Sequence, residues 1–380
     1  VAKQCYDSLV DEFDAVVLEG AGSPAEINLK HHDIVNMQMA RYADAPVLLV
    51  GDIDRGGLFA SFVGTMDLLT PWERRLIHGF VINRFRGDAS LLGPAVDYTQ
   101  AHTGRPTLGI VPYVPNLGLP EEDSVEFKSG RSGESPRQAD IVDIAVVDLP
   151  HISNFTDLDA LRIEPDVRVR LVRTADELGT PDAVILPGSK SVLGDLESIQ
   201  QRGFTRRLRD LAASHTTQIV GICGGFQMLG RKIADPSHVE SKNGAAEALG
   251  LLGVTTALAA EKTLARSRAV HAASGLEVTG YEIHHGQTDV GDEQQLFQAD
   301  TPNGLGVVNR QGNVWGTYLH GVFDADAFRR WFIDRLRTRR GLEPLGGVSA
   351  TYDIEPALDR LAEIVRESLD IDAIYRRMGL

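Results

Sequence analysis

The chain has 380 residues, 43% of them hydrophobic and 24% charged, which is length and apolar content enough for two separate cores. Its 38 basic residues against 53 acidic ones leave a formal charge of −15, and this opposes a nucleic-acid partner, which needs a basic surface to displace counterions. No apolar run reaches the roughly 18–20 residues of a membrane span and the N-terminus lacks a charged-then-apolar signal pattern, so a cytoplasmic protein without membrane contact is expected.

Four short apolar runs, Asp14–Glu19, Ala45–Val50, Gly79–Asn83 and Thr107–Val111, have the composition of buried parallel strands. Helix-compatible stretches such as His32–Tyr42 and Leu58–Leu69 separate them, and the resulting βαβ rhythm predicts a doubly wound sheet that binds ligands at the carboxyl ends of its strands. Residues 127–139, rich in Gly, Ser and Pro, read as a linker, which makes 1–126 a first domain. A second α/β pattern, 140–335, follows with strands at Ile141–Val147, Val167–Val172, Ala183–Leu186 and Gln218–Ile222, then a β-rich stretch from about Gly275 to Tyr318. The chain reads as helical from Ala325, and 336–380 form a helical extension with Leu358, Leu361, Ile364 and Val365 along one face.

The segment Gln218–Gly230 carries the clearest chemistry: a buried strand, a tight turn of glycines around Cys223, then a helix. A helix N-terminus offers unpaired N–H groups and a favourable dipole to a thiolate, and glycines on both sides of the nucleophile let a substrate approach. The only other cysteine, Cys5, lies in an unrelated context, so neither a disulfide framework nor a thiolate zinc site is expected. A nucleophile needs a base and an oxyanion hole. His320, which follows an apolar strand in Trp315–Asp324, is the preferred base; Gly188, in a Pro-Gly-Ser-Lys loop after another strand, and Gly224 offer backbone N–H groups to an oxyanion. His284 and His285 are adjacent on an expected strand, so they point to opposite faces and cannot jointly chelate a metal; at least one is expected to be structural.

Cys223 in its glycine turn, the Pro-Gly-Ser loop and the Tyr-Leu-His-Gly block around His320 together resemble the class I glutamine amidotransferase domain, in the variant of the cobyrinic and cobyric acid amidases. The blocks Leu18–Leu29, Val50–Gly57 and Gly109–Asp123 likewise resemble the cobyric acid synthase family, and the resemblance covers essentially the whole chain. It implies two doubly wound α/β domains: a dethiobiotin synthetase-like, P-loop-type ATPase and a flavodoxin-like amidotransferase. It also implies ATP and Mg²⁺ as co-substrate and ion with no tightly bound prosthetic group, and L-glutamine and a corrinoid as partners; a homo-oligomer is compatible with it. Residue by residue it implies Gln227 in the glutamine pocket, Asn83 at the adenine ring and Glu19 as a Mg²⁺ ligand, while Arg84 and Arg86 face phosphates, substrate carboxylates or solvent.

Two departures matter. Most class I members place a glutamate two residues after the histidine, where this chain has Val322, as the cobalamin branch does; a Cys-His dyad is implied instead of a triad. No Gly-x-x-x-x-Gly-Lys-Ser/Thr loop occurs, so the chain resembles a member lacking roughly its first hundred residues, one that binds ATP poorly and does not amidate by itself. Three rival readings stand beside this one. A glutaminase subunit of another ligase lacks the 18–29 block; a dienelactone-type cysteine hydrolase needs an aspartate between Cys223 and His320; a truncated, non-catalytic module fits the missing loop.

Overall fold

A computed structural model describes residues 1–115, 117–119, 140–241, 244–298 and 304–380; the expected linker 127–139 lies outside them. The chain divides into two compact units, Val1–Leu119 with Ile354–Leu380, and Pro120–Asp353.

The first unit runs α1 (Ala2–Glu12), α2 (Met37–Tyr42), β1 (Val47–Asp52), α3 (Leu58–Leu68), α4 (Pro71–Leu76), β2 (Ile77–Phe85), α5 (Gly93–Thr103) and β3 (Thr107–Pro112). The strands form a parallel sheet in the order β1-β2-β3. Phe62 of α3 stacks on Phe80 of β2 at 4.6 Å, and Met66, Ile77 and Ile82 complete the core around them. The start of α4 is fixed by a capping box in which the Thr70 N–H and hydroxyl both donate to Glu73, each at 2.7 Å. Asp14–Glu19 is not the strand its composition suggested. The segment is irregular and Val17 is 90% exposed, because an apolar run is stable as a strand only where a neighbour accepts its backbone hydrogen bonds.

In the second unit the elements are β4 (Val142–Val147), β5 (Ile152–Ser153), β6 (Val167–Val172), β7 (Ala183–Leu186), β8 (Gly188–Ser189), α6 (Val192–Gln201), α7 (Phe204–Ser214), β9 (Gln218–Ile222) and α8 (Gly224–Leu229). They continue with β10 (Lys232–Ala234), β11 (Ala245–Glu247), β12 (Thr255–His271), β13 (Glu277–Asp289), β14 (Gln294–Gln295), β15 (Phe297–Gln298), β16 (Gly306–Val308), β17 (Val314–Thr317) and α9 (Asp326–Arg339). A seven-stranded sheet has the order β14-β16-β17-β9-β7-β4-β6, parallel from β17 to β6. Every residue of β4, β7 and β9 is buried, which is why these strands read as unbroken apolar runs. Strand β12 escaped that reading. It forms a long antiparallel ribbon with β13 whose middle is exposed on both faces, so neither alternation nor an apolar run marks it.

Helix α9 runs through the expected boundary at 335 and is held by buried charge. Arg329, fully buried, meets Glu164 at 2.8 Å and donates to the Phe323 carbonyl at 2.9 Å, while Arg330 and Arg337 both reach Asp166. The remaining helices, α10 (Glu355–Ser368) and α11 (Ile371–Met378), belong to the first unit, so 336–380 is not one extension. The Asp370 N–H donates to the Leu108 carbonyl at 2.8 Å, and a side chain at Gly109 would run into the end of α10.

Candidate active site

Cys223 sits where β9 ends and α8 begins, with φ +52° and ψ −106°, a region that costs a residue other than glycine about 1–3 kcal/mol. The conformation is held from three sides. The Cys223 N–H donates to the Thr317 carbonyl of neighbouring β17 at 2.7 Å, the Gln227 N–H returns to the Cys223 carbonyl at 3.1 Å, and Gly225 presses so closely on the Leu186 carbonyl that no Cβ would fit. The thiol is 6% exposed, 3.6 Å from the Ile283 carbonyl.

His320 reaches the cysteine because β17 lies beside β9 and the histidine follows β17 by three residues. Its ring is 1% exposed and stacks on Tyr281 at 5.2 Å. Nδ1 and the Asp157 Oδ2 are 2.7 Å apart, and the other oxygen of Asp157 accepts the Gly321 N–H at 2.7 Å. Burial alone would lower the His320 pKa, but the Asp157 hydrogen bond and the neighbouring Cys223 outweigh it and hold the imidazole charged up to about 10. Nε2 is buried without a hydrogen-bond partner among the described residues.

The dyad expected from Val322 is therefore corrected. Val322 is fully buried in the apolar core, and the carboxylate on His320 comes instead from Asp157, in the short helical turn Phe155–Leu158 after β5. Sequence reasoning looked for an acid just after the histidine or between the two residues. Asp157 precedes both, and only the aspartate-bearing turn close behind strand β4 could have pointed to it.

Gly188 and Gly224 are brought to the same place. A Cβ on Gly188 would lie 3.2 Å from His320 Cε1, and one on Gly224 would lie 2.9 Å from the Ser189 nitrogen. Gly224 opens α8, where N–H groups have no intrahelical acceptor. Gln227 is 2% exposed, lies against the Tyr318 hydroxyl, and its Oε1 is buried without a hydrogen-bond partner among the described residues. His284 and His285 do alternate. His284 is buried, donates from Nδ1 to the Gly286 carbonyl at 2.8 Å, stacks on Tyr318 at 3.7 Å and holds Glu282 below the usual carboxylate range; half-buried His285 donates from Nδ1 to the Ala259 carbonyl at 2.9 Å.

In the first unit, Asn83 is near the end of β2, opposite Asp52 of β1, and its side-chain oxygen accepts the Arg84 N–H at 2.9 Å. Arg84, at φ +61°, pairs with Asp52 at 3.6 Å; Arg86 forks onto Asp54 and covers the Tyr113 ring at 3.3 Å. Glu19 is exposed in an irregular segment rather than at a strand end, and among the described residues no three His, Cys, Asp or Glu side chains gather to hold a metal. Nor, among the described residues, is any helix long and apolar enough to cross a membrane.

Residues 143–328 match the model of the CobB/CobQ-like glutamine amidotransferase domain, and residues 1–121 match an AAA domain. The whole chain aligns at 54% identity with 77% of the cobyric acid synthase of Nitratidesulfovibrio vulgaris. This chain belongs to the cobyric acid synthase family. The cobyric acid synthase of Clostridium acetobutylicum is 44% identical, again over the whole chain and 76% of that protein. The adenosylcobalamin biosynthesis bifunctional protein CobDQ of Leptospira interrogans is 51% identical, with 44% of its length covered. Both units are thus those of a cobyric acid synthase-family amidotransferase, and Cys223, His320 and Asp157 all fall within the matched amidotransferase region.

Proposed function

We propose that this chain hydrolyses L-glutamine at Cys223 and supplies the ammonia to ATP-activated corrinoid carboxylates, the b, d, e and g groups of adenosylcobyrinic acid a,c-diamide, in the cytoplasm. The observation that carries the first half is the strained, buried Cys223 beside a His320 held charged by Asp157. The Cys223 thiolate attacks the side-chain amide carbon of glutamine. The tetrahedral oxyanion faces the backbone N–H groups at Gly188 and Gly224, and the unpartnered Gln227 Oε1 accepts from the substrate ammonium. The C–N bond breaks as His320 gives its proton to the departing nitrogen, leaving a thioester and ammonia. Neutral His320 then takes a proton from water, the hydroxide attacks the thioester, and the C–S bond breaks to release glutamate and restore the starting pair.

Ammonia is mostly protonated in neutral water and then not nucleophilic, which is the physical reason to couple its release to an acyl phosphate formed from ATP and the corrinoid. Family membership supports that second half, with Asn83 proposed at the adenine ring. In the full-length enzyme, Cys223→Ala is expected to abolish glutamine-dependent amidation while ammonium-dependent amidation persists. A folded variant that kept its glutamine-dependent rate, or lost both, would remove the basis for the reading.

A further inference from the structure

The catalytic mouth is framed by two strands of two residues each, and strands that short do not hold their own register. Strand β5 leads through Asn154, itself in the left-handed region at φ +52°, into the turn that carries Asp157. Strand β8 carries Gly188. They pair as Ile152 with Ser189 and Ser153 with Gly188.

Asp195, one turn into α6, is completely buried and touches both strands at the Ile152–Ser189 end of this ribbon. One oxygen accepts the His151 backbone N–H at 3.1 Å and lies 2.9 Å from His151 Nδ1; the other accepts the Ser189 hydroxyl at 2.6 Å. The Ser189 oxygen in turn accepts the Ser191 N–H at 3.0 Å, and the Lys190 N–H closes back on the His151 carbonyl at 2.9 Å. Three donors on one dry carboxylate make a stiff joint, since each bond lost would strand a buried polar group. His151 remains open to solvent on its outer side, so the joint faces inward through Ser189.

We propose that Asp195 is a positioning residue for glutamine hydrolysis: by clamping His151 and Ser189 it sets β5 against β8. It thereby fixes the oxyanion-side backbone at Gly188 and the Asp157 turn behind His320 at once. It touches neither substrate nor reacting atoms. This rests on the glutaminase reading of Cys223. The expected signature separates chemistry that uses an oxyanion from chemistry that does not. Alkylation of Cys223 by iodoacetamide is a direct displacement at carbon and needs no oxyanion hole, whereas thioester formation does.

The test uses Asp195→Asn and Ser189→Ala in the full-length enzyme, with thermal melting recorded for both; Ser189→Ala removes one hydroxyl and guards against a fold defect in the first. Both are expected to lose about 10–100-fold in kcat for glutamine with little change in KM, as for a donor or strand misplaced by about 1 Å. Iodoacetamide inactivation is expected to stay within about twofold of wild type. An unchanged kcat in both variants overturns the proposal, and so does a parallel loss of alkylation rate and turnover, which would mean general disorder at the elbow. Failure of the underlying reading looks different: Cys223→Ala would keep its glutamine-dependent rate whatever Asp195 does.

Discussion

Replacing Asp157 with asparagine keeps the shape of the side chain and changes one interaction. The amide oxygen can still accept the Gly321 N–H, but an NH₂ group then faces His320 Nδ1, where a carboxylate oxygen now stands at 2.7 Å. The proton must leave Nδ1, and the burial that already opposes the charged ring is no longer offset by Asp157. The folded pKa of His320 therefore falls from about 10, with Cys223 left as the group that raises it against burial, and fewer rings are charged near pH 7.5. Loss of the correct tautomer adds to that, so kcat for glutamine hydrolysis is expected to drop about 10³-fold, within the range of two to four orders for general acid–base assistance. KM and ammonium-driven amidation are expected to hold. Stability gives a second readout with a defined sign. The folded pKa of His320 is raised above its unfolded value, so the pair's contribution is complete below about pH 6.5 and is lost as pH rises through about 10. The wild type should therefore exceed Asp157→Asn by on the order of 3 kcal/mol at pH 6, and the two should converge near pH 10. Urea titrations at both pH values, with steady-state glutaminase rates, test this. A variant within about threefold of the wild-type rate, or a stability gap that widened with pH, would refute the assignment.

Gly225→Ala is expected to be the most damaging methyl group in the second unit, because a Cβ there meets the Leu186 carbonyl, a backbone atom that cannot rotate away. Glutaminase activity should vanish and thermal stability fall by more than the roughly 1–3 kcal/mol of ordinary overpacking; near-normal melting and turnover would contradict the packing described. His271, 4% exposed, is drawn down to about 4 by burial and by Arg335. Its folded pKa lies below the unfolded one, so stability is lost as pH falls from about 6.5 to about 4, by up to about 3 kcal/mol. His271→Gln should flatten that slope in urea titrations; an identical slope would show that the acid sensitivity arises elsewhere.

The strained elbow around Cys223, the proposed nucleophile, was legible in the sequence because its surroundings are local. A buried strand, a glycine turn and a helix start are consecutive in the chain, and the same backbone geometry that holds Cys223 in its strained conformation dictates which small residues flank it. The parallel strands β4, β7 and β9 were legible for a similar reason, since burial on both faces leaves an uninterrupted apolar run. His320 could be nominated from its place after a strand, although that strand's position beside β9 is a fact of sheet order. Apolar composition misled at Asp14–Glu19, and it was silent at β12, because pairing and exposure are properties of neighbours and not of the run itself. Asp157 and Asp195 were beyond the sequence for the same reason. An aspartate in a turn and another in a helix are ordinary in composition, and they become an orienting carboxylate and a clamp only when the sheet brings β5, β8 and the end of β17 together. A hydrogen bond between residues 163 apart is specified by the fold, since a sequence records which groups can donate and accept but not which of them will meet.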